Sequence, residues 1–392
     1  MKYSFDEVVD RRGTGSVRWD SVMEKYGEAD LIPLTTADMD FRVAEPIREA
    51  IRKAADFGIF GYTKPRPSYY QAVMDRFQEK WDWSIRQEWI EYSAGVVGAI
   101  AFCIQGLTQP GDGIALITPD YHPFSHAIED NGRTVHSCPL LEQDGTFVID
   151  FPRLEEILSD PSVTMLLFCN PHNPVGLAWS REVLDRVCRL CVEHHVILVS
   201  DEIHRDFVFS GHTFSSAGPA MAAAGGLEQV VVCASASKSF NLAGLQTSSI
   251  IIPGEELRRK YHRILMNQHF MELNAIGPVA TEAAYRFGQD WLDQALAYLE
   301  ANRDYVVDYF RTYIPQIRPI VPEATYMMLL DCRGLGWTEA ELEDRLVHQA
   351  KVGLNMGSTF GPGGEGFVRI NFATPRAVLS QALEGIRSLF AS

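Results

Sequence analysis

Five short apolar runs punctuate the middle of this chain, at residues 114–118, 164–169, 196–200, 229–234 and 248–252. Each is rich in β-branched or apolar residues and closes on turn or cap residues, which predicts buried strands. Stretches of helical periodicity lie between several of them. One covers 97–107, with Gly106 and Pro110-Gly111 near its end, and another covers 180–193, with Ser180 as the predicted N-cap. Strand–helix alternation of this kind predicts an α/β fold: a mostly parallel sheet with helices on both faces.

The ends of the chain read differently. Residues 1–45 are irregular, with one strand expected near 31–35. After Gly277 a long helical region runs through Trp291, Tyr298 and Phe310, and Pro315, Pro319 and Pro322 then interrupt it. Strands are expected at 324–331 and 367–372, and helices at 339–349 and 377–390, the last despite Gly385. This is an α+β pattern. The expected organisation is therefore a large α/β/α domain over 46–284 and a smaller α+β domain built from 1–45 and 285–392.

Composition narrows the function. A chain of 392 residues, 46% of them hydrophobic, can bury a core of two-domain size. The formal net charge of −16 argues against nucleic acid or an anionic membrane surface as the main partner. No apolar run reaches the roughly 18–20 residues needed to span a bilayer, and the start, Met1-Lys2-Tyr3-Ser4-Phe5-Asp6-Glu7, has no apolar signal core. Seven irregularly spaced cysteines do not suggest a disulfide framework, so the cytosol is the expected compartment. Cys188, Cys191, His194 and His195 would suit a metal on paper. However, Val183, Leu184, Val187, Cys188 and Cys191 share one stripe of an amphipathic helix, and no second ligand pair lies at zinc spacing. Core packing is the expected role, with no metal.

The chemistry concentrates just after the predicted strands. Ser235-Ala236-Ser237-Lys238-Ser239-Phe240-Asn241 sets a lysine among hydroxyls. Open α/β sheets bind ligands at the strand ends, and a lysine in a dry site has a lowered pKa and can form an imine. Ser200-Asp201-Glu202-Ile203-His204 places a carboxylate at the end of another strand. Asn170-Pro171-His172-Asn173-Pro174-Val175-Gly176 holds Asn173 between two proline-fixed turns. Gly95-Val96-Val97-Gly98 opens a helix whose free amides suit phosphate, and Tyr121 can present an aromatic face to the same crevice.

In these segments, and in Ala37-Asp38-Met39-Asp40-Phe41, Gly61-Tyr62, Ala324-Thr325-Tyr326 and Phe367-Val368-Arg369-Ile370-Asn371, the chain resembles pyridoxal 5′-phosphate enzymes of the aspartate aminotransferase fold (fold type I). It is most similar to their MalY/PatB-type cystathionine β-lyase (carbon–sulfur lyase) branch. The resemblance implies that Lys238 forms the imine with the cofactor and later removes the Cα proton. It implies Asp201 at the pyridine nitrogen, Asn173 at the phenolic oxygen with His204 nearby, and Tyr121 stacked on the ring. Gly95, Val96, Val97, Ser235 and Ser237 are implied around the phosphate, and Arg369 at the substrate carboxylate with Asn173 and Ala37. Tyr62 is implied to reach the phosphate of a neighbouring subunit, hence a homodimer. Tyr121 and Tyr62 join Lys238 as candidates to protonate a leaving sulfur.

Departures from the aminotransferase pattern accompany these matches. His204 stands where aspartate aminotransferases usually carry a tyrosine, and Gln246 where many carry an arginine. The stretch Pro33-Leu34-Thr35-Thr36-Ala37 lacks the tryptophan common in the lyase branch. The expected reaction is α,β-elimination from an L-cysteine S-conjugate, a small amino-acid substrate. Transamination uses the same residues as far as proton removal. A regulatory protein of this fold would add a basic DNA-binding segment, for which the expected alignment leaves no room.

Overall fold

Every residue of the runs 113–118 and 230–234 is buried, as strands covered by helices on both faces require. The computed structural model describes residues 1–270 and 272–390. Its strands are β1 (Ile32–Pro33), β2 (Ile90–Ser93), β3 (Gly113–Thr118), β4 (Thr134–Pro139), β5 (Leu141–Gln143), β6 (Thr146–Val148), β7 (Val163–Cys169), β8 (Ile197–Asp201), β9 (Val230–Ala234), β10 (Ser248–Ile251), β11 (Arg318–Pro319), β12 (Met327–Asp331), β13 (Val352–Gly353), β14 (Asn355–Met356) and β15 (Phe367–Asn371).

Seven strands form the main sheet in the order β2-β10-β9-β8-β7-β3-β4. Strands β4, β3, β7, β8 and β9 run parallel, and β10 runs antiparallel to both its neighbours. The C-terminal ends of β3, β7, β8 and β9 therefore open on one edge. The helix Val96–Leu107 packs on this sheet through Val96, Ala99, Ile100, Cys103, Ile104 and Leu107, a stripe at helical spacing. Gly106 lets the helix Glu255–Asn267 approach closely: a Cβ there would lie 2.8 Å from Ile264 Cγ1. On the other face, the helix Arg181–Glu193 begins at Ser180, whose hydroxyl accepts from the Val183 amide, a cap worth about 1 kcal/mol. Cys188 and Cys191 are buried on its inner side, within the apolar core.

A second, four-stranded antiparallel sheet has the order β11-β12-β15-β14. Both chain ends contribute to this layer. β1 pairs in parallel with β13, and Phe5 packs its ring against Phe41, Trp291 and Tyr298. The helix Gln289–Tyr313 spans the region as one 25-residue element.

Some predicted bounds shift. The strand expected over 324–331 starts at Met327, because Thr325 sits at φ +68° and turns the chain. The helix expected over 339–349 is α-helical over Glu339–Asp344 and continues as a π-helical turn over Arg345–Gln349.

The segment 33–41 bridges the two sheets, and its carbonyls are satisfied largely by side chains. Arg18 donates to Pro33 O at 2.7 Å, Asn371 to Thr36 O at 2.6 Å and Asp38 O at 2.9 Å, and Asn241 to Met39 O at 2.8 Å and Phe41 O at 2.9 Å. Irregular backbone buried this deeply requires such partners.

Candidate active site

The open edge of the main sheet borders a cavity of about 250 Å³. Every site residue expected from the sequence lines it except Arg369 and Tyr62. Lys238 reaches it from the short helix Ala236–Ser239 that follows β9. Ser235 caps that helix, its hydroxyl accepting from the Ser237 amide at 3.0 Å and donating to Thr247 O at 2.7 Å. The Ser235 proton is thus already engaged, and Ser237 carries the hydroxyl open to a ligand. Lys238 Nζ donates to Ala37 O at 2.6 Å, and Tyr326 Oη donates to the same carbonyl at 3.1 Å. Burial holds the Lys238 amine below its usual pKa; Asp38 and Asp201 act against this, and Arg369 adds to it.

Asp201 ends β8. Its carboxylate accepts from the Ile203 amide at 3.0 Å and, as an acid buried with little other support, is pushed up to about 7. His204 lies on the same side, its ring 5.7 Å from Tyr326. Burial, with Lys238 and Arg369 nearby, drops its pKa to about 3, so the imidazole is neutral, and its Nδ1 has no partner among the described residues.

Arg369 does not line the cavity itself. It sits one hydrogen bond behind it, donating from Nη1 to Asn173 Oδ1 at 3.0 Å. Its Nη2 donates to Thr35 O at 2.9 Å and Asn355 Oδ1 at 2.8 Å, while Nε has no acceptor among the described residues. Phe360 lies under the guanidinium at 4.7 Å. Burial drops the Arg369 pKa to about 10, with Tyr121 and Tyr326 acting against the shift. Because Asn173 Oδ1 is taken by Arg369, its NH₂ group is the donor left for the cavity.

The opposite end of the cavity is a helix N-terminus. Gly95 precedes it at φ +149°, a conformation other residues rarely adopt. The first intrahelical bond runs from Ala99 to Gly95 O, so the amides of Val96, Val97 and Gly98 have no intrahelical acceptor. Gln246, itself at φ +45°, closes that end. Tyr121 flanks the cavity, its ring set edge-on to Phe124 at 5.7 Å. Tyr62 is 99% exposed and lies on a different surface, with Phe60 and Leu273.

Tyr326, Asn355, Phe360 and the carbonyl of Thr35 also belong to this constellation. Tyr326 and Thr35 stand in segments that the sequence marks out; Asn355 and Phe360 carry no motif, because their contribution is a contact that only the fold creates. The donor set fits pyridoxal 5′-phosphate. A buried acid with no ion pair among the described residues suits a basic ring nitrogen, helix amides and a hydroxyl suit a phosphate, and a lysine stands beside them.

The sequence matches the family model described as "Aminotransferase class I and II" over residues 29–386, and the chain belongs to that family. Cystathionine beta-lyase PatB of Bacillus subtilis is 43% identical over 388 residues, covering 98% of this chain and 99% of that protein. Cystalysin from Treponema denticola, whose crystal structure contains a pyridoxal 5′-phosphate cofactor, superposes with a TM-score of 0.96 at 33% identity, covering 100% of this chain and 99% of that one. The PLP-bound C-S lyase from Staphylococcus hominis gives a TM-score of 0.92 at 30% identity, covering 100% and 99%.

Proposed function

We propose that the chain is a pyridoxal 5′-phosphate-dependent carbon–sulfur β-lyase. It would cleave L-cystathionine or a related L-cysteine S-conjugate to a thiol, pyruvate and ammonia. The observation that carries the reading is the pairing of a buried, pKa-lowered Lys238 with Arg369, a buried guanidinium whose acceptors are all neutral. Such a pair suits an α-amino acid: a base for Cα and a charge awaiting a carboxylate. The full-length likeness to PatB and to the C-S lyase supports sulfur as the leaving atom.

Bound pyridoxal 5′-phosphate would supply an electron sink for the charge that develops at Cα. Asp201 would hold the ring nitrogen and favour its protonated form, since its buried carboxylate favours a cation opposite it. The Asn173 amide would hold the phenolic oxygen, with neutral His204 and Tyr121 lining the cavity around the ring. Val96, Val97 and Ser237 would hold the phosphate, and Gly95 and Ser235 shape the turns that present them. Arg369 takes the substrate carboxylate next to Asn173 and Ala37. Lys238 removes the Cα proton, and the Ala37 carbonyl holds its Nζ in place. The Cβ–S bond then breaks, and protonated Lys238 or the hydroxyl of Tyr121 or Tyr62 supplies a proton to the sulfur. The three-carbon product hydrolyses to pyruvate and ammonia.

In this reading residues 46–284 form the large domain that carries the cofactor, and 1–45 with 285–392 form the small domain, which brings Ala37 and Arg369 to the site. The protein works as a homodimer, with Tyr62 crossing to the neighbouring site. Purified protein loaded with the cofactor and given L-cystathionine or S-methyl-L-cysteine, without a keto acid, should release pyruvate over many turnovers. Amino-group transfer on adding a keto acid, with no pyruvate beforehand, would make it an aminotransferase instead.

A further inference from the structure

We propose that Asn355 is a positioning residue: it fixes the Arg369 guanidinium for the substrate carboxylate without neutralising its charge. The inference deepens the reading above and rests on it. Asn355 stands directly opposite Arg369 in the antiparallel pair β14–β15. Facing residues of adjacent strands project to the same side of a sheet, so the Asn355 amide reaches Nη2 at 2.8 Å. A guanidinium has donors only, so the amide must turn its oxygen toward it.

The rest of the setting is equally short of negative charge. Nη1 meets the Asn173 amide oxygen, Nη2 also meets the Thr35 carbonyl, and the Phe360 ring lies beneath. Among the described residues no carboxylate pairs with Arg369, and its Nε has no acceptor. A buried cation pairs most strongly with the first carboxylate that reaches it. An aspartate at 355 would have nearly the same shape and would be that carboxylate. The asparagine fixes the fork and leaves its charge for the ligand.

A purely structural role for Asn355, tying β14 to β15, gives the opposite ranking of variants. Asn355→Asp keeps the shape and the acceptor, so it would be milder than Asn355→Ala. The positioning role makes Asn355→Asp the worse of the two for ligand binding. The test uses cofactor-loaded wild type and both variants. Calorimetry gives the Kd of 2-methylalanine, which has a carboxylate and an amine but no Cα proton to lose. S-methyl-L-cysteine gives KM and kcat, and thermal melting reports folding.

Asn355→Asp should raise the Kd of 2-methylalanine and the KM by about 30-fold or more. Its kcat should stay within about threefold of wild type, and its melting temperature should be no lower than that of Asn355→Ala. The alanine variant should weaken binding by about tenfold or less. Binding by Asn355→Asp equal to wild type, or tighter than by Asn355→Ala, overturns the positioning role while leaving the proposed function intact. A wild type that neither binds 2-methylalanine nor releases pyruvate overturns both.

Discussion

Asp201 and Glu202 are adjacent acids, both buried and both pushed up to about 7, yet their surroundings give them different work. Asp201, the last residue of β8, lines the cavity with the Ile203 amide as its hydrogen-bond donor. Glu202 does not line it; it is enclosed by the Ser200 and Ser216 hydroxyls and accepts from the Ala217 amide at 2.7 Å. Asp201→Asn should reduce kcat/KM at least about 100-fold, because a neutral amide cannot hold a proton on a basic nitrogen. Glu202→Gln turns an NH₂ toward donors, and should cost about 1–3 kcal/mol of stability with kcat nearly unchanged. Urea unfolding and steady-state kinetics on the two variants separate these effects; an equal loss of activity in both would contradict the division. Lys238→Ala should lower turnover by at least about 100-fold, in line with the loss of a general base, and should abolish the visible absorbance of the lysine-bound cofactor.

At the scale of elements, the turn after β7 shows how structure and site share residues. His172 is fully buried in it, its Nε2 3.3 Å from Ile117 O and its ring edge-on to Trp179 at 5.4 Å, directly before Asn173. Burial drops its pKa to about 4, below the usual value of 6.5. The unfolded chain therefore binds a proton near pH 6.5 that the folded chain refuses until about pH 4, and stability falls as pH drops through that window. Between pH 7.5 and 5 this one group should cost about 2 kcal/mol. His172→Gln is expected to be less stable at pH 7.5 but to lose less on acidification; measuring urea unfolding at the two pH values compares the slopes. An unchanged slope would place the acid sensitivity elsewhere.

Much of this region is legible in the sequence. The runs at 114–118, 164–169 and 229–234 are apolar in all but one residue each, and strand ends that carry Asn173, Asp201 and Lys238 leave few places for a ligand. Other elements leave no such mark in the sequence. β4 is exposed or half-buried over most of its length, so it lacks an apolar run, and β2 has only four residues. The direction of β10 depends on its pairing with β9 and β2 and is invisible in its own residues. The same holds for Asn355: its meaning lies in the residue opposite it on β15, fourteen positions along the chain.

At the scale of the whole molecule, no helix among the described residues is long and apolar enough to cross a membrane. The segment 57–62 nevertheless holds apolar side chains outward: Phe57 at 72%, Ile59 at 70%, Phe60 at 61% and Tyr62 at 99% exposure. A cluster of large apolar groups on so acidic a chain is what a second copy would cover. In the dimer we propose, each site takes Lys238 from its own chain and Tyr62 from its neighbour. Consider a Lys238→Ala chain mixed with a Tyr62→Phe chain under conditions that exchange subunits. In a hybrid, one site has lost both residues, while the other has its own Lys238 and an intact Tyr62 from the partner. With random exchange half the dimers are hybrids, and each has one native site, so activity should recover to about a quarter of wild type. Neither parent alone should approach this if Tyr62→Phe is itself severely impaired, which its separate assay establishes. If Tyr62 served its own chain, every site with Lys238 would still lack the tyrosine hydroxyl, and the mixture would show only the average of its parents. Sedimentation of the mixture, giving the fraction of two-chain species, distinguishes that result from a failure of the chains to exchange.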